Sequence, residues 1–315
     1  MNKLRVAIPV YKRPELLNKS LEALVSQCRK YSVPIDIYDD SCSNINNWVY
    51  AKYIKDFALL KITYNQLNIG IDNNINQCVN KADANYVWLI GEDDVIVENA
   101  ISNILEVIKN YSPKFIFTNY QYISNDYKVK LNIAVNLQNT SSMVAKTFFE
   151  KYGWAIGFLG SNIINTNYWD RDDNKYLGTY FNHVGKIFSK LNINDEIYII
   201  ENPSIYNRAE NLESFSWLNE CFEVTYGFKD MLEILSNECQ EWKESSLIAY
   251  DNFSKRINLN SPKTLLLLRA YKIYNLKKHR KYNNYTDKSY IKYLIAIFPT
   301  SPLLILLKLF KLFKK

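Results

Sequence analysis

A run of carboxylates after a short apolar stretch is the part of the sequence best suited to chemistry. The apolar residues 86–90 end at Gly91, and Glu92, Asp93 and Asp94 follow without interruption. An uncharged run of this length predicts a strand buried on both faces of a parallel sheet. Burying adjacent, unpaired carboxylates is costly. A divalent cation such as Mn²⁺ or Mg²⁺, which prefers oxygen ligands, would remove that cost.

The same carboxylates also fit a solvated acidic turn. A helix is predicted to begin near Glu98, and acidic side chains are favourable close to a helix N-terminus. The local sequence leaves both interpretations open. The choice depends on what the neighbouring strands bring to the same place.

The elements around the acidic run predict an α/β fold with a mostly parallel sheet. Patterning predicts strands at 4–10, 35–38, 60–64 and 86–90, separated by helices at about 16–30, 47–57 and 71–81. Strands and helices that alternate with short links are typical of a doubly wound parallel sheet. Such sheets bind ligands at the carboxyl ends of their strands.

Polar candidates follow three of these strands. Tyr11 comes after the first strand, Asp39 and Asp40 after the second, and the acidic run after the fourth. Because parallel strands end at one edge of a sheet, we expect the three groups to project together. Ordinary turn chemistry is the alternative explanation for the tyrosine and the aspartate pair.

Several common enzyme signatures are missing from the sequence. It contains no GxxxxGK[ST], GxSxG, HExxH or CxxC pattern. No Gly-x-Gly-x-x-Gly follows the first strand, so a dinucleotide-binding domain is not expected.

The first strand and its turn begin a series of motifs that resemble family 2 glycosyltransferases. Residues 6–13 are similar to the strand and turn that open that family's domain. Residues 39–41 resemble its Asp-Asp-Gly-Ser element, with Ser41 in place of the usual glycine.

Two later motifs continue the resemblance. Residues 68–74 are similar to the family's Asn-x-Gly element, and residues 88–94 resemble its DXD motif, with Glu92 where aspartate is common. All four motifs occur in the family's order. Residues 157–169 and 180–183 resemble, more narrowly, the abequosyltransferase-type branch of bacterial surface-polysaccharide glycosyltransferases.

The resemblance implies a GT-A fold, a nucleoside-diphosphate sugar donor, a divalent metal and inversion at the anomeric carbon. It assigns the metal to Asp94 together with Glu92, or with Asp93 as the alternative, and the metal would neutralise charge on the leaving diphosphate. Its donor-nucleotide residues would be Pro9, Tyr11, Arg13, Asp39, Asp40, Asn68, Gly70, Asn74 and Asp93. The tyrosine ring could stack on the base, while one of the paired aspartates accepts from a base N–H or a ribose hydroxyl.

An inverting transfer also needs a base that takes the proton of the acceptor hydroxyl. Family members commonly place an acidic residue of a Glu-Asp pair at a helix start, where this chain has residues 180–183 and no such pair. We therefore expect His183 to serve, because the pKa of histidine lies near working pH. A lone helical histidine is also commonly structural. The alternatives are Asp170, Asp172 and Asp173.

Charge separates the main body of the chain from its C-terminal part. Of the net charge of +7, residues 263–315 carry +12, which leaves −5 for residues 1–262. A basic segment needs an anionic partner. Residues 302–315 alternate Leu and Phe with lysines, a pattern typical of a basic amphipathic helix in a membrane interface. A helix docked on the main domain is the alternative, and the apolar content argues against nucleic acid.

These observations predict three parts: a GT-A domain over 1–205, a helical segment over 206–285 and a membrane-associated tail over 286–315. The uncharged run 293–307 is 15 residues long, short of the roughly 20 that span a bilayer. Five scattered cysteines and the lack of a signal-peptide pattern predict a reducing, cytoplasmic location on the inner face of the cell membrane.

The predicted activity is sugar transfer to a glycan or lipid-linked oligosaccharide acceptor. A metal-dependent phosphoryl- or nucleotidyl-transfer enzyme is the first alternative, because it could use the same carboxylates. A non-catalytic membrane adaptor on the same scaffold is the second, because the expected Glu-Asp pair is missing.

Overall fold

The structure, a computed structural model, describes residues 2–208, 219–285 and 289–304. The chain divides into two compact units. The first comprises Met1–Glu210 with Met231–Ala249, and the second comprises Asn211–Asp230 with Tyr250–Lys315.

A mixed sheet forms the centre of the first unit. Within the described residues its strands are β1 (Asn2–Val10), β2 (Ile35–Asp39), β3 (Leu60–Tyr64), β4 (Ala84–Leu89), β5 (Val95–Ile96), β6 (Phe115–Ile123), β7 (Lys130–Ile133), β8 (Ser142–Val144), β9 (Asn162–Asn165) and β10 (Glu196–Arg208). Their order is β3-β2-β1-β4-β9-β6-β10-β5, with β7 beside β6 and β8 beside β10.

Strands β1 to β4 run parallel, as the alternation of elements predicted. Val10 pairs with Asp39, and Asp39 pairs with Tyr64, so three strands end in register. Strand β9 is antiparallel to both β4 and β6, and β10 is parallel to β6. The strands β1–β4, β6 and β10 therefore end on the same side of the sheet. We call this side, with the loops that follow those strands, the carboxyl edge.

The helices of the described residues flank the sheet or form the second unit. They are α1 (Pro14–Tyr31), α2 (Asn47–Ile54), α3 (Ile71–Asn80), α4 (Ala100–Tyr111), α5 (Ala145–Tyr152), α6 (Asn182–Lys190), α7 (Cys221–Glu238), α8 (Lys243–Ile257), α9 (Pro262–Ala270), α10 (Leu276–Tyr282) and α11 (Tyr290–Ile297). Helix α1 shows why the first ones form: Pro14 suits a first helical turn. Leu17, Leu21 and Leu24 follow helical spacing and are fully buried. The predicted α/β fold with C-terminal helices is confirmed.

Strand β4 lies in the middle of the core. Val87, Trp88 and Leu89 have no exposed surface, and the Trp88 indole donates to the Gly160 carbonyl at 2.8 Å. The uncharged run before the carboxylates is therefore a strand buried on both faces.

Strand β10 is longer than predicted. The sequence pattern alone predicts a strand over 196–200, and Asn202 and Pro203 follow that apolar run. The pairing with β6 instead shifts register between Ile200 and Ile205 and then continues to Arg208. An irregularity of this kind absorbs the interruption without ending the strand.

The second unit is helical and aromatic. Phe222 stacks on Tyr274 and Tyr282, with ring centroids 5.4 and 5.8 Å apart, and Tyr226 stacks on Tyr282 at 4.8 Å. Residues 305–315, which contain most of the predicted amphipathic tail helix, lie outside the described residues. In the part of the chain that the structure describes, every helix is too short or too polar to span a bilayer.

Candidate active site at the carboxyl edge

The carboxyl edge brings together the three groups of polar residues expected there. The Lys12 N–H donates to Ser41 Oγ at 2.9 Å, which ties the β1 loop to the β2 loop. The Tyr11 N–H donates to Glu92 Oε2 at 2.8 Å, which ties the β1 loop to the acidic run after β4. The predicted convergence of strand ends is therefore present in the fold.

Two arginines hold the first two carboxylates of the acidic run. Arg13 Nε lies 2.6 Å from Glu92 Oε1, and Arg13 Nη1 lies 3.0 Å from Asp93 Oδ2. Arg208, at the end of β10, places Nη2 3.2 Å from the same Asp93 oxygen. The loop after β1 and the end of β10, which three strands separate in the sheet order, thus meet on one aspartate. The carboxylates and guanidinium groups offset one another's charge at a half-buried site.

Glu92 has a different role from the one expected from the sequence. Its side chain is 3% exposed, and both oxygens accept hydrogen bonds, one from Arg13 and one from the Tyr11 N–H. Burial raises the pKa of Glu92 to about 7, although the Arg13 charge opposes the rise. The geometry therefore makes Glu92 a link between two loops, and it leaves the neighbouring aspartates as the candidate metal ligands.

Asp94 is the carboxylate that remains for a cation. It is 5% exposed and forms no ion pair with any described residue, while its Oδ2 accepts from the Gly91 N–H at 3.0 Å. Burial and the adjacent Asp93 raise its pKa well above the usual range. A Cβ at residue 91 would lie 2.6 Å from that Oδ2, so glycine is what permits the close approach. A bound cation would stabilise the ionised form of this carboxylate.

The donor set fits a metal that is shared with a substrate. The described residues contain no group of three or more His, Cys, Asp or Glu side chains that could hold an ion by itself. Mg²⁺ is commonly bound through one or two carboxylates, with substrate phosphates and water completing the shell. Asp94, with Asp93 next to it, meets that requirement.

Asp39 and its neighbours stabilise the β2 loop from inside. Asp39 is 1% exposed. Its Oδ1 accepts from the Ser41 N–H at 2.8 Å, and its Oδ2 accepts from Asn46 Nδ2 at 2.9 Å and the Tyr50 hydroxyl at 2.6 Å. Burial and the Asp39 charge raise the pKa of Tyr50 far above its usual range, so the tyrosine stays a donor.

Asp40 holds the loop after β3 in the same way. Its carboxylate accepts from the N–H groups of Ile69 and Gly70 at 2.9 and 3.1 Å and from Asn65 Nδ2 at 2.9 Å. Gly70 has φ +79°, a left-handed conformation that favours glycine, and open space surrounds its missing Cβ. Asn74 donates to the Tyr38 carbonyl at 3.0 Å.

The predicted nucleotide residues therefore fall into two groups. Pro9, Asp39, Asp40 and Asn74 are buried, and they shape the loops instead of facing a ligand. The exposed or half-buried members are Tyr11, Arg13, Asn68, Gly70 and Asp93. The tyrosine ring is 44% exposed, as a stacking platform for a base would require.

His183 does not have the properties expected of a base. It is 2% exposed, in the first turn of α6. Its Nε2 lies 3.1 Å from the Ile156 carbonyl. Because a carbonyl only accepts, Nε2 carries the proton of the neutral ring, and Nδ1 is buried with no hydrogen-bond partner among the described residues. Burial lowers the pKa of His183 to about 4. A weakly basic and inaccessible nitrogen is unsuited to taking a proton from an acceptor sugar.

Asp172 and Asp173 lie near the far end of α3. The Asn80 side chain, at the end of that helix, donates to the Arg171 carbonyl at 3.0 Å. Asp72 lies near the start of the same helix, at the carboxyl edge. It precedes Asn80 by eight residues, which corresponds to about 12 Å along the helix axis. The two aspartates follow Arg171 directly. Their position therefore corrects the expectation that they serve as the base.

A polar stripe on α3 was missed in the sequence. Asp72, Asn76 and Asn80 occupy one face at four-residue spacing, and each binds a different part of segment 169–182. Their partners are the N–H groups of Gly178 and Tyr180 at 2.7 and 3.3 Å, the Asn182 amide at 2.7 Å, and the Trp169 indole at 2.7 Å. The spacing of Asp and Asn along a helical pattern was the signal that could have revealed this contact.

A buried lysine lies beside the stripe. Lys186 has no exposed surface, and its Nζ lies 3.3 Å from Asn76 Oδ1 and 4.5 Å from the Trp169 ring centroid. Burial lowers its pKa to about 8. Asp72 Oδ1 and Asn182 Oδ1 are buried, and neither has a hydrogen-bond partner in the part of the chain that the structure describes. Burial raises the pKa of Asp72. The contact between α3 and α6 is therefore polar, and it orients the segment that precedes α6.

Other residues of the edge were also missed. Arg208 was missed because the strand that carries it was predicted to end at residue 200. Asn46 lies just before α2, and Tyr50 lies within that helix. Nothing in the sequence marks either residue as a partner of Asp39. Tyr127, in the β6–β7 loop, donates from its hydroxyl to the Asp93 carbonyl at 2.8 Å. Such long-range contacts appear only once the topology is known.

The sheet order, the antiparallel β9 and the acidic run after β4 define the GT-A class of glycosyltransferase folds. A crystal structure of residues 1–349 of S. aureus TarS superposes with a TM-score of 0.63 at 12% identity, covering 90% of this chain and 78% of that chain. The complex of the same protein with UDP-GlcNAc gives a TM-score of 0.62.

The family follows from the sequence match. The family model described as glycosyl transferase family 2 matches residues 5–165, about half of the chain, and the chain belongs to that family. It is a glycosyltransferase. An abequosyltransferase of Salmonella typhimurium is 23% identical over 261 residues, 78% of each protein. A Campylobacter jejuni GalNAc(5)-diNAcBac-PP-undecaprenol beta-1,3-glucosyltransferase is 28% identical over 107 residues, 34% of each.

Proposed function

We propose that the carboxyl edge binds a nucleoside-diphosphate sugar and that the enzyme transfers the sugar, with inversion, to a glycan acceptor. The observation that carries this proposal is the presence at one edge of an exposed Tyr11 ring and a buried Asp94 that lacks an ion-pair partner among the described residues, with the Tyr11 N–H bonded to Glu92 of the same acidic run. One offers a face for a base, and the other offers an oxygen ligand for a metal–diphosphate. Family membership supports the same reaction.

The loops of the edge would divide the donor between them. Tyr11 would stack on the base, and the exposed Asn68 and Gly70 would face the ribose side. Lys12, with Nζ 5.0 Å from the Tyr11 ring centroid, is exposed and lies where a diphosphate would bring negative charge. The buried aspartates of the β2 loop would act indirectly, by fixing these loops before the donor arrives.

The metal proposal is Mn²⁺ or Mg²⁺ held by Asp94, with Asp93 as its neighbour. Such an ion would offset charge that develops on the leaving diphosphate. Arg13 and Arg208 hold Asp93 in place, and Gly91 lets Asp94 fold back against the backbone. Each of these residues therefore acts on the position of a carboxylate.

The acceptor proposal is a membrane-linked glycan of bacterial surface polysaccharide. The two relatives support it, because one is named as an abequosyltransferase and the other as a glucosyltransferase of an undecaprenol-linked glycan. The expected boundary at residue 205 falls inside β10, so we propose a catalytic domain that extends to Arg208, a helical segment that ends at residue 285 and a membrane-associated tail over 286–315. The enzyme would then work at the inner face of the cell membrane, and nucleic acid is not proposed as a partner.

A donor screen tests the proposal. Purified enzyme is incubated with Mn²⁺ or Mg²⁺ and a panel of nucleoside-diphosphate sugars, and released nucleotide is resolved by chromatography. Sugar transfer releases an intact nucleoside diphosphate, whereas nucleotidyl transfer from the same donor breaks the diphosphate and releases a sugar 1-phosphate, with a nucleoside monophosphate when water is the acceptor. We expect the diphosphate with at least one donor. Release of only the other products, or of none, would overturn the proposal.

The matched variants are Asp94→Asn and Asp36→Asn. Both remove one charge from a buried aspartate, but Asp36 pairs with Arg5 inside the sheet. We expect Asp94→Asn to lower metal-dependent turnover at least about a hundredfold, the range seen when an electrostatic contact to the transition state is lost. Asp36→Asn should affect stability more than turnover. Full activity of Asp94→Asn, or of the wild type in EDTA, would contradict the metal role.

A further inference from the structure

Helix α11 exposes apolar side chains and buries a lysine, which is unusual for a surface helix. Its inward positions are Lys292, Ile295 and Ala296, and the lysine is only 5% exposed. The Lys292 ammonium donates to Asn260 Oδ1 at 2.9 Å, which explains how a charge is tolerated there. The outward positions are all apolar or aromatic: Tyr290, Ile291, Tyr293, Leu294, Ile297 and Phe298. Surface helices normally place such side chains inward.

Helix α9 adds to this apolar surface. Leu266 and Leu267 are exposed at 37% and 41%. The two helices adjoin, because Arg269 Nε, in the last turn of α9, donates to the Phe298 carbonyl at 2.8 Å. We call the exposed apolar side chains of these two helices the α9–α11 face. Contiguous exposed apolar surface on this scale marks a binding surface for a protein or a membrane.

The surroundings of the face are strongly basic. Residues 262–285 and 289–304 contain eight Lys or Arg and no Asp or Glu. Lys263, Lys272, Lys277 and Arg280 are exposed. The pKa of His279 is lowered by burial and then by the positive charges of Lys292 and Arg280. Any partner of the face must therefore accept both apolar side chains and a dense positive charge.

We propose that the α9–α11 face lies on an anionic lipid bilayer, with its apolar side chains below the headgroups and its lysines against lipid phosphates. A bilayer interface combines an apolar interior with a negative surface, which is the pairing that the face requires. The inference rests on the membrane association proposed above and places it in folded helices. It makes residues 262–285 and 289–298 a docking surface, which adds α9 and its neighbours to the part of the proposed tail that α11 occupies.

The test measures binding of the full-length protein to vesicles of phosphatidylcholine with and without phosphatidylglycerol. The variant is Ile291→Gln with Leu294→Gln, which keeps helix-forming residues. The matched control is Leu247→Gln with Ile248→Gln, the same pair of residue types exposed on α8. We expect the α11 variant to lower the partition coefficient at least about tenfold, from the lost apolar burial. The α8 control should bind as the wild type does.

A charge variant adds an independent measurement. Lys272→Glu with Lys277→Glu should lower binding to anionic vesicles at least about fivefold per residue and leave the weak binding to neutral vesicles unchanged. Vesicle binding is measured without donor or acceptor, and transfer to a short soluble acceptor should be the same in every variant. Loss of binding with transfer intact therefore separates this inference from the proposed activity.

Three results would overturn the inference. The first is a partition coefficient of the α11 variant equal to that of the wild type. The second is a wild-type dimer in sedimentation that the α11 variant converts to a monomer, because a second copy would then cover the face. The third is loss of all binding on deletion of residues 305–315 while the α11 variant still binds, because the tail alone would then be the anchor. Thermal unfolding of each variant, at an unchanged midpoint, shows that the fold is retained.

Discussion

Replacing Glu92 by Gln should change how the stability of the enzyme depends on pH. In the folded chain the pKa of Glu92 is about 7, against an ordinary value of 4.5. The folded state therefore binds a proton more readily than the unfolded state between these values. Stability is then lost as pH rises from 4.5 to 7, because the slope of the unfolding free energy follows the protons bound by the unfolded chain minus those bound by the folded chain.

The magnitude follows from the shift. A difference of 2.5 pKa units corresponds to about 3 kcal/mol of unfolding free energy, and Glu92 is almost completely buried, so solvent screens little of it. His183 acts in the opposite direction: its pKa is about 4 when folded, against 6.5, so stability is gained as pH rises through that window. The raised pKa values of Asp94 and Asp72 act in the same direction as that of Glu92. The contribution of Glu92 is therefore read from the difference between the wild type and Glu92→Gln.

The assay is urea unfolding at half-unit steps from pH 4.5 to 8, in EDTA so that no cation binds. The difference in unfolding free energy between wild type and Glu92→Gln should change by about 3 kcal/mol across this range. Glu98→Gln, the same change at an exposed residue, should give a flat difference. A flat difference for Glu92→Gln as well would refute the reasoning, because Glu92 would then titrate alike in both states.

Substitutions at three further residues test the site. Gly91→Ala should force Asp94 Oδ2 away from a new Cβ, weakening apparent metal affinity in turnover assays about tenfold or more; an unchanged metal titration would contradict this. His183→Gln should lower the thermal midpoint, because a buried hydrogen bond of about 1–3 kcal/mol is lost. The variant should keep the loss of transfer rate at low pH that the wild type shows; disappearance of that pH dependence would restore the histidine as the base. Asp72→Ala should slow transfer more than Asp72→Asn, which keeps an acceptor for the Gly178 N–H; equal rates would show that Asp72 does not orient the turn.

The first half of the fold could be predicted because local pattern and global position agree there. Strand β3 has the predicted bounds, and α3 ends within one residue of the expected position. The uncharged run before Gly91 indicated a buried strand, and Val87 to Leu89 are buried. Parallel strands then placed the loops at one edge by geometry alone.

The part of the site that could not be predicted depends on which carboxylate meets which cation. Glu92, Asp93 and Asp94 look alike in sequence, yet two of them are held by arginines and one is not. One of those arginines lies 115 residues further along the chain. The burial of His183 could not be predicted either. Its residue type suggested a base, but burial lowers its pKa and removes its basicity.

The polar stripe on α3 has a consequence for how this enzyme can diverge. Asp72, Asn76 and Asn80 bind segment 169–182 at three successive turns of the helix, so the helical pitch of about 5.4 Å sets where each contact falls. An inserted or deleted residue between Trp169 and Asn182 would displace at least one of these contacts by part of a helical turn. A buried polar group would then lose its hydrogen-bond partner. Relatives that keep the stripe should therefore also keep the length of this segment.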